Sequence, residues 1–531
     1  MVDVVRTEDC LWVQGPGSGS PRADVTPVPT AGVDEAPDRP SAGVLRVGGL
    51  DTAFLSCETP GVHMHVGGLL LLEPSAPASD PYDTIRSLLL DALPKVPFMH
   101  KRLAWAPFGV GRPFWVDDDE FDIDRHLHRV PVPTPGDDRA LARFIGEVAS
   151  RPLRRDRPLW EVWVVDGLPA GQVALLAKMH HAIVDGVTGV SVMGRLFAPS
   201  PPWPESPESA ATWRPEPGPG ALHLLGLGLL DGVRAPLEVS RLLPVTTGRL
   251  AATAWNLGSR RRRAGIRVTP FSAPRTSFNA TLTSRRSVAV AEVSLADVKV
   301  VKNAFGVKVN DVIAAVVGGV LRRYLRDRGE LPARPLVAAQ PVAVHTHTGA
   351  RSGVSKLSVI FSTLGTDVAD PVERLRVVAA SNARAKDVSR RMGADTFTRW
   401  TELAPPGPLA LGARAYSKLH GADHLPVVFN VLVSNVAGPP VELSLAGNRI
   451  VGAYAFGPIV DGAALNVTVL STGDRIGFGI TSCPDLVPDV WRLADDVPHA
   501  LCELVKATSR ASRVRRGAPS AARQRGALTH R

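Results

Sequence analysis

The sequence predicts an α/β protein, and three observations support this fold class. The apolar run Val173–Ala177 has the length of a strand and is followed by a polar loop. Beyond Gly186, apolar residues recur at helical spacing, which completes a strand–loop–helix unit over residues 172–197. Residues 465–481 read as a β-hairpin around a Thr-Gly-Asp turn. A chain of 531 residues can form two or more domains or one bilobal unit.

The same two periodicities predict the elements of the first half. Residues 82–93 and 138–150 show helical spacing, whereas Met64–Leu72 and the segment that begins at Trp160 read as strands. Residues 1–44 are rich in Pro, Gly, Ser and Asp and show no sustained period, so we expect a disordered extension there.

A Pro-rich stretch at residues 199–220 is the clearest boundary in the chain. Residues 221–230 are strongly apolar, and an amphipathic continuation ends in the basic cluster Arg260–Arg263. Two interpretations fit this segment: contact with a membrane surface, or an ordinary helical hairpin that packs on the protein and has a solvated basic end.

Strands and helices alternate again in the second half. Its predicted strands are residues 287–294, 335–342, 427–433, 450–456, 465–470 and 476–481. A helix begins near Val309 with Asn310 or its neighbour as N-cap, and apolar residues on nearly every face indicate that it is buried. Another helix begins within Asp367–Leu375. Residues 507–531 carry seven arginines and no acidic residue, which predicts a disordered basic tail.

Composition narrows the classes of function. The formal net charge of +10 suits nucleic acid, an anionic membrane or an anionic ligand such as CoA. Aromatic residues are only 5% and do not alternate with basic residues, so we expect no nucleic-acid partner. The four cysteines are far apart, which argues against a disulfide framework or a zinc site. With no signal-peptide pattern and no apolar run of about 18 residues, we expect a cytoplasmic protein.

The strongest chemical signal is His180-His181-x-x-x-Asp185-Gly186, directly after the predicted strand. A histidine near its ordinary pKa can take a proton from a hydroxyl, which could then attack an activated acyl group. Asp185 could fix the loop or orient a ring, and Gly186 could relieve backbone strain or admit a substrate closely. Two histidines could also bind a metal, but no further His, Cys or Glu cluster stands nearby to complete a site. His65, in the preceding strand, is expected to be a packed histidine.

This motif resembles that of CoA-dependent acyltransferases and non-ribosomal peptide condensation domains. Blocks in the rest of the chain narrow the resemblance to the bacterial wax ester synthase/diacylglycerol acyltransferase family, over roughly Leu50 to Lys506. The blocks are residues 50–55 (LDTAFL), 58–60 (ETP), 64–68 (MHVGG), 121–124 (FDID), 158–160 (PLW), 274–279 (PRTSFN), 310–312 (NDV), 434–439 (SNVAGP) and 458–465 (PIVDGAAL). One block departs from the family, since Ser352-Gly353 replaces the usual Gly-Asn, so the resemblance assigns no substrate contact to that loop.

The resemblance implies a two-lobed chloramphenicol-acetyltransferase-like fold, in which each lobe is a mixed sheet with helices and the active site lies in a channel between the lobes. The corresponding division of the chain is residues 1–44 (extension), 45–198 (N-terminal lobe), 199–273 (Pro-rich linker and amphipathic helical segment), 274–506 (C-terminal lobe) and 507–531 (tail).

The implied activity is transfer of an acyl chain from acyl-CoA to diacylglycerol, giving triacylglycerol, and to long-chain alcohols, giving wax esters. His181 would be the general base, His180 would shape the site and Asp185 would organise the loop. Gly186, Asn310 and Asp311 would shape the substrate channel, although capping of the helix explains Asn310 and Asp311 at least as well.

We expect acyl-CoA as a co-substrate and no bound cofactor or metal. The expected partners are diacylglycerol or a long-chain alcohol, together with peripheral contact at the inner face of the membrane or at lipid droplets. Three alternatives remain open: a peptide-condensing domain, for which the chain holds no carrier module; a non-catalytic lipid-binding protein of the same fold; and a metal-dependent hydrolase that uses both histidines and Asp185.

Overall fold

Two large mixed β-sheets with helices make up the protein, together with a small three-stranded sheet. The computed structural model describes residues 45–73, 80–183, 198–199, 214–230, 240, 242–244, 246–247, 271–344, 356–392, 396–439, 441–445 and 447–517. Several predicted features lie outside these residues: the extension 1–44, Asp185, Gly186 and the helix after them, Arg260–Arg263 and the loop with Ser352-Gly353.

The strands are β1 (Leu45–Arg46), β2 (His65–Glu73), β3 (Lys101–Ala104), β4 (Phe114–Asp117), β5 (Leu127–Pro131), β6 (Trp160–Asp166), β7 (Val173–His180), β8 (Ala198–Pro199), β9 (Ser287–Ser294), β10 (Val337–Val344), β11 (Lys356–Thr363), β12 (Val431–Ala437), β13 (Leu443–Leu445), β14 (Asn448–Phe456), β15 (Leu465–Thr472) and β16 (Arg475–Ser482).

The helices are α1 (Gly49–Ser56), α2 (Pro81–Ala92), α3 (Asp138–Ala149), α4 (Ala221–Leu230), α5 (Leu295–Phe305), α6 (Val309–Asp327), α7 (Pro371–Met392), α8 (Thr396–Leu403), α9 (Pro406–Lys418), α10 (Gly421–His424) and α11 (Val490–Gly517).

The first large sheet has seven strands in the order β5-β6-β7-β2-β14-β13-β8. Strand β2 lies near its centre, and its run of leucines is buried on both faces. Leu70 and Leu72 pack in a cluster with α2, whereas Leu69 and Leu71 pack in a cluster with α3. A continuous apolar run, rather than strict alternation, is what a strand covered on both faces requires.

Two strands of this sheet come from the second half of the sequence. β14 pairs with β2 from Arg449 opposite Glu73 to Phe456 opposite Gly67, and β13 pairs with β14. Strands β13 and β14, from the segment assigned to the C-terminal lobe, therefore complete the sheet of the N-terminal segment. Without β14, the buried strand β2 would present an unpaired edge, which is costly.

The second large sheet has six strands in the order β11-β10-β12-β15-β16-β9. Helix α6 packs in the core beside it, and every residue from Val312 to Leu321 is buried, so the predicted buried helix is confirmed. The predicted N-cap, Asn310 or its neighbour, is wrong. The N-cap residue is Lys308, and Asp311, the neighbour of Asn310, accepts the Lys308 N–H at 3.0 Å from the third helical position.

The β15–β16 hairpin forms as predicted, with Thr472 opposite Arg475 and Gly473 at a φ of +56°. Helix α11, in contrast, runs to Gly517 and passes the point at which a disordered tail was expected to begin. Its arginine content suggested disorder, but Val505 and Thr508 are buried, so the apolar face of the helix continues past Lys506.

Within the described ranges, no single helix is long and apolar enough to cross a membrane. The pair α5 and α6 reaches the required length and composition only together, with a bend of 103° between them.

Candidate active site at the end of strand β7

The two histidines lie where β7 ends and a single 3₁₀ turn, His181–Ile183, begins. His180 pairs with His65 across the antiparallel β2–β7 ladder. The His181 N–H donates to the Met64 carbonyl at 2.7 Å, and the His180 N–H donates to the Leu159 carbonyl at 3.0 Å. Backbone bonds to two neighbouring strand ends therefore fix the start of the loop that carries the motif.

His180 is 1% exposed and both of its ring nitrogens face protein groups. The Ala182 N–H donates to Nδ1 at 3.0 Å. In the neutral ring, the proton therefore resides on Nε2, which lies 3.2 Å from Oε1 of Glu58. His180 thus lies between the 3₁₀ turn and the partly buried carboxylate of Glu58, which suits the site-shaping role predicted for it.

His181 is held as a neutral ring. Its ring centroid lies 4.4 Å from that of Phe54, at an interplanar angle of 45°. Its Nδ1 is buried and has no hydrogen-bond partner in another described residue. Burial lowers the pKa of His181 below its ordinary value, with a smaller lowering from the charge of His180. A neutral imidazole at physiological pH is the form that can accept a proton.

Glu58 is the main residue of the site that the sequence did not reveal. Its Oε1 accepts the Met64 N–H at 3.0 Å, and its Oε2 accepts from Nη2 of Arg155 at 2.8 Å. Burial alone would raise the pKa of this carboxyl, but the hydrogen bond and charge of His180, with His65 and Arg155, hold it well below its usual range. Its place in the block 58–60 was the one available signal.

His65 is a packed histidine, as expected, and it also contacts the carboxylate. Its Nε2 accepts the Leu153 N–H at 3.3 Å and lies 3.7 Å from Oε1 of Glu58. The His63 ring stacks on it with centroids 5.4 Å apart. Burial, and next the charge of Lys178, hold the pKa of His65 well below its usual range, so it is a neutral member of the cluster.

Lys178, two residues before His180, is hydrogen-bonded from β7 to the last turn of α3. Its buried Nζ donates to the Val148 carbonyl at 2.9 Å and also to the Arg151 carbonyl. Burial lowers the pKa of Lys178 to about 8. A cation at this position satisfies carbonyls that the end of a helix leaves unpaired.

Asn310 and Asp311 belong to a different polar network, which joins helices α6 and α7 to strand β10 of the second sheet. Oδ1 of Asp311 accepts from Nδ2 of Asn382 at 2.8 Å, and Nδ2 of Asn310 donates to Oε1 of Gln340 at 3.1 Å. Nε2 of Gln340 donates to Oδ1 of Asn382 at 3.0 Å, which closes the network. The bonds of the described residues do not join this network to the histidines, so their role in the channel stays a prediction.

Elements of both halves of the sequence meet around the motif. Nη2 of Arg286, just before β9, donates to the Gly61 carbonyl at 2.6 Å. The Arg286 N–H donates to Oγ of Ser150 at 2.8 Å, and α1 packs against α8 and α9. In the part of the chain that the structure describes, no group of three or more His, Cys, Asp or Glu side chains could hold a metal ion.

Comparison with known families matches most of this chain. The model of the wax ester synthase/diacylglycerol acyltransferase catalytic domain matches residues 47–313, which include the described histidine cluster. The model of the C-terminal domain of the same enzymes matches residues 355–505. The chain belongs to this acyltransferase family.

Relatives and a solved structure agree with the family assignment. A predicted diacylglycerol O-acyltransferase of Mycobacterium tuberculosis is 37% identical over 468 residues, which cover 88% of this chain and 91% of that protein. A second such protein, from Mycobacterium bovis, is 33% identical over 470 residues, which cover 86% of this chain and 98% of that protein. The wax ester synthase/diacylglycerol acyltransferase of Marinobacter aquaeolei has a TM-score of 0.62 and 27% identity, and covers 88% of this chain and 100% of its own.

The predicted fold class and enzyme class are thereby confirmed for this acyltransferase. It is an α/β protein with two mixed sheets and helices, and it has the fold of the Marinobacter family member. The match of two family models along the chain favours an acyltransferase of lipid metabolism over a peptide-condensing domain, the first of the alternatives.

Proposed function

We propose that this enzyme transfers a long acyl chain from acyl-CoA to the free hydroxyl of diacylglycerol, and to long-chain alcohols as a second activity. The observation that carries the proposal is the position of His181 directly after β7, inside the catalytic domain of the family, with its ring against Phe54 and its pKa lowered by burial. The names of the mycobacterial relatives support diacylglycerol as the acceptor.

In the proposed reaction, His181 takes the proton of the acceptor hydroxyl as the oxygen attacks the thioester carbonyl. The C–S bond then breaks, and the imidazolium returns the proton to the departing sulfur, so that triacylglycerol and CoA leave. Proton transfer to a positioned base typically contributes about 10²–10⁴ in rate. Holding both lipid reactants against one base contributes a larger factor through proximity.

No metal or resident cofactor enters this scheme, because a neutral imidazole and an activated thioester suffice for the transfer. Asp185 and Gly186 keep their proposed roles in organising the loop and admitting substrate. Asn310 and Asp311 keep theirs in shaping the channel, with Asp311 acting from the cap of α6.

We extend the proposal to the lipid surface on which such acceptors reside, at the inner face of the membrane or on lipid droplets. Helix α4 packs on the β3–β4 hairpin through Leu224, which clusters with Ala106 and Phe114. Its other side leaves Leu222, Leu229 and Leu230 exposed, and Phe108 in the hairpin turn is 94% exposed. Exposed apolar side chains grouped in this way favour insertion into a lipid interface.

The choice of acceptor can be tested directly with purified enzyme. Radiolabelled palmitoyl-CoA is offered with dioleoylglycerol or with hexadecanol, and the products are separated by thin-layer chromatography. The proposal predicts that triacylglycerol is the dominant product. A dominant wax ester would reverse the order of the two activities, and neither product from folded protein would overturn the proposal in favour of a non-catalytic lipid-binding protein.

A further inference from the structure

The partly buried carboxylate of Glu58 contacts two residues, Met64 and His180, that are themselves bonded to the 3₁₀ turn after β7. We propose that Glu58 is a positioning residue for the acyl transfer, which it supports by fixing the 3₁₀ turn that carries His181. The inference rests on the proposed role of His181 as the base. Glu58 itself does not contact the His181 ring in the described structure; it acts through Met64 and His180.

The first connection runs through the backbone. Oε1 of Glu58 accepts the Met64 N–H at 3.0 Å. The carbonyl oxygen of Met64 in turn accepts the His181 N–H at 2.7 Å. Met64 directly precedes β2, where the chain has just left the turn after Glu58. Loss of the Glu58 carboxylate would leave the Met64 backbone less constrained. The His181 N–H would then lose a fixed acceptor, the Met64 carbonyl.

The second connection runs through a side chain. The same Oε1 lies 3.2 Å from Nε2 of His180, whose Nδ1 accepts the Ala182 N–H at 3.0 Å. The His180 ring thus accepts a hydrogen bond from the middle residue of the turn at one nitrogen and faces the carboxylate, at ion-pair distance, with the other. Because His181 lies between His180 and Ala182, its Cα is fixed from both directions.

The remaining contacts keep the carboxylate ionised and in place. Nη2 of Arg155 donates to Oε2 of Glu58 at 2.8 Å and to the Leu55 carbonyl at 2.6 Å. Leu55 lies in α1, whose Phe54 ring packs against His181. Thus the contacts of Glu58 and Arg155 reach the backbone that bonds His181, the turn that follows it and the helix that covers its ring.

The buried carboxylate of Asp311 shows a different arrangement. Asp311 accepts from the Lys308 N–H and from Asn382, partners that belong to the cap of α6 and to α7. That pattern is sufficient to stabilise a helix start. The partners of Glu58 instead converge on residues 180–182, which is why we assign it to the reaction as well as to the fold.

The test compares Glu58→Ala and Glu58→Gln with Glu73→Gln, a matched control in strand β2 whose carboxylate pairs with Arg449 on the surface. Glutamine keeps an oxygen for the Met64 N–H but loses the charge. We expect kcat to fall about 100-fold in Glu58→Ala, the size of effect that a misplacement of about 1 Å produces. In Glu58→Gln we expect kcat to fall about tenfold, because charge-assisted hydrogen bonds are stronger than neutral ones. The kcat of the control should match that of wild type.

Two readouts separate positioning from a loss of folded protein. Rates are taken per folded molecule, well below the unfolding temperature of each variant, and KM for palmitoyl-CoA should change by no more than about twofold. The second readout is a double-mutant cycle that combines Glu58→Gln with His180→Asn. In His180→Asn, the Asn side-chain oxygen can still accept the Ala182 N–H, but the side chain does not reach Glu58. The Glu58→Gln/His180→Asn double variant should lose little more than the worse single variant, because both break one connection.

A folded Glu58→Gln enzyme with wild-type kcat would overturn the inference. So would a double variant in which the decreases in kcat of the two single variants multiply fully. Both outcomes can be observed even if Glu58→Ala does not fold. A His181→Ala variant in the same assay separates this inference from the proposed function. If it retains activity, the assignment of the base is wrong. If it is inactive while both Glu58 variants turn over normally, only the positioning role of Glu58 is wrong.

Discussion

Met64 and His181 are joined by a backbone hydrogen bond of 2.7 Å, which attaches the residue just before β2 to the residue just after β7. The two strands are antiparallel neighbours, so this bond continues their ladder one step beyond its last pair, His65 and His180. The 3₁₀ turn that carries His181 is thus attached directly to the end of the β2–β7 ladder.

Activity should be lost on the acid side of neutrality. Because burial lowers the pKa of His181, the ring is neutral above its ordinary value of about 6.5, and turnover stays full there. As the pH falls through the lowered pKa of the folded enzyme, the ring takes up a proton and the rate falls. The measurement is kcat/KM against pH, with the acid limb expected below about 6.5. An acid limb centred above pH 7 would contradict a desolvated neutral base.

Trp160 of the Pro-Leu-Trp block should act on stability and not on substrate binding. It is buried, its Nε1 donates to the Met99 carbonyl at 2.9 Å, and its ring stacks on His126 with centroids 4.6 Å apart. Trp160→Phe should lower the free energy of unfolding by about 1–3 kcal/mol, because a buried carbonyl loses its donor. Urea unfolding measures this.

The matched control is Trp163→Phe, which changes the opposite face of the same strand. KM for palmitoyl-CoA should stay unchanged in both variants. A raised KM at wild-type stability in Trp160→Phe would show instead that the indole contacts substrate.

The Asp311 carboxylate should contribute mainly to folding. Asp311→Ala removes the acceptor for the Lys308 N–H and for Asn382, so the free energy of unfolding should fall by about 1–3 kcal/mol. A double-mutant cycle with Asn382→Ala should show coupling, because the two side chains share a bond. If kcat falls strongly while stability stays at the wild-type level, the carboxylate does not act through the fold and this prediction is wrong.

The exposed leucines of α4 should determine binding to lipid surfaces. Leu229→Ser/Leu230→Ser removes two exposed apolar side chains, each worth about 1.5–3 kcal/mol when fully buried. Binding to vesicles of phosphatidylcholine and phosphatidylglycerol should therefore weaken at least about tenfold, as measured by flotation. Val300→Ser, an exposed apolar position on α5, is the control. Equal binding of the double variant and wild type would exclude α4 as the contact.

Local patterns predicted local structure well. The β15–β16 hairpin depends on neighbouring residues and a turn that needs a glycine at positive φ, and it was predicted. The burial of α6 followed from apolar residues on nearly every face. The histidine motif was located at the end of a strand because an apolar run leads directly to it.

Long-range pairing was not predictable from these patterns. β14 joins β2 although about 380 residues separate them in sequence, and no periodicity records which sheet a strand will enter. Glu58 was missed for the same reason, since its partners Arg155 and His180 are distant in the chain. An acidic residue in a loop carries no sign that it will be partly buried and hydrogen-bonded to distant residues.

The central claim is that His181 is the base of the transfer, and the most direct test is His181→Ala. The variant removes the ring but keeps the backbone N–H that bonds the Met64 carbonyl, so it should fold and bind palmitoyl-CoA. We predict that triacylglycerol formation from palmitoyl-CoA and dioleoylglycerol falls by at least about 10²–10⁴-fold, with the thermal unfolding temperature unchanged within a few degrees. Wild-type turnover by the folded variant would contradict the account.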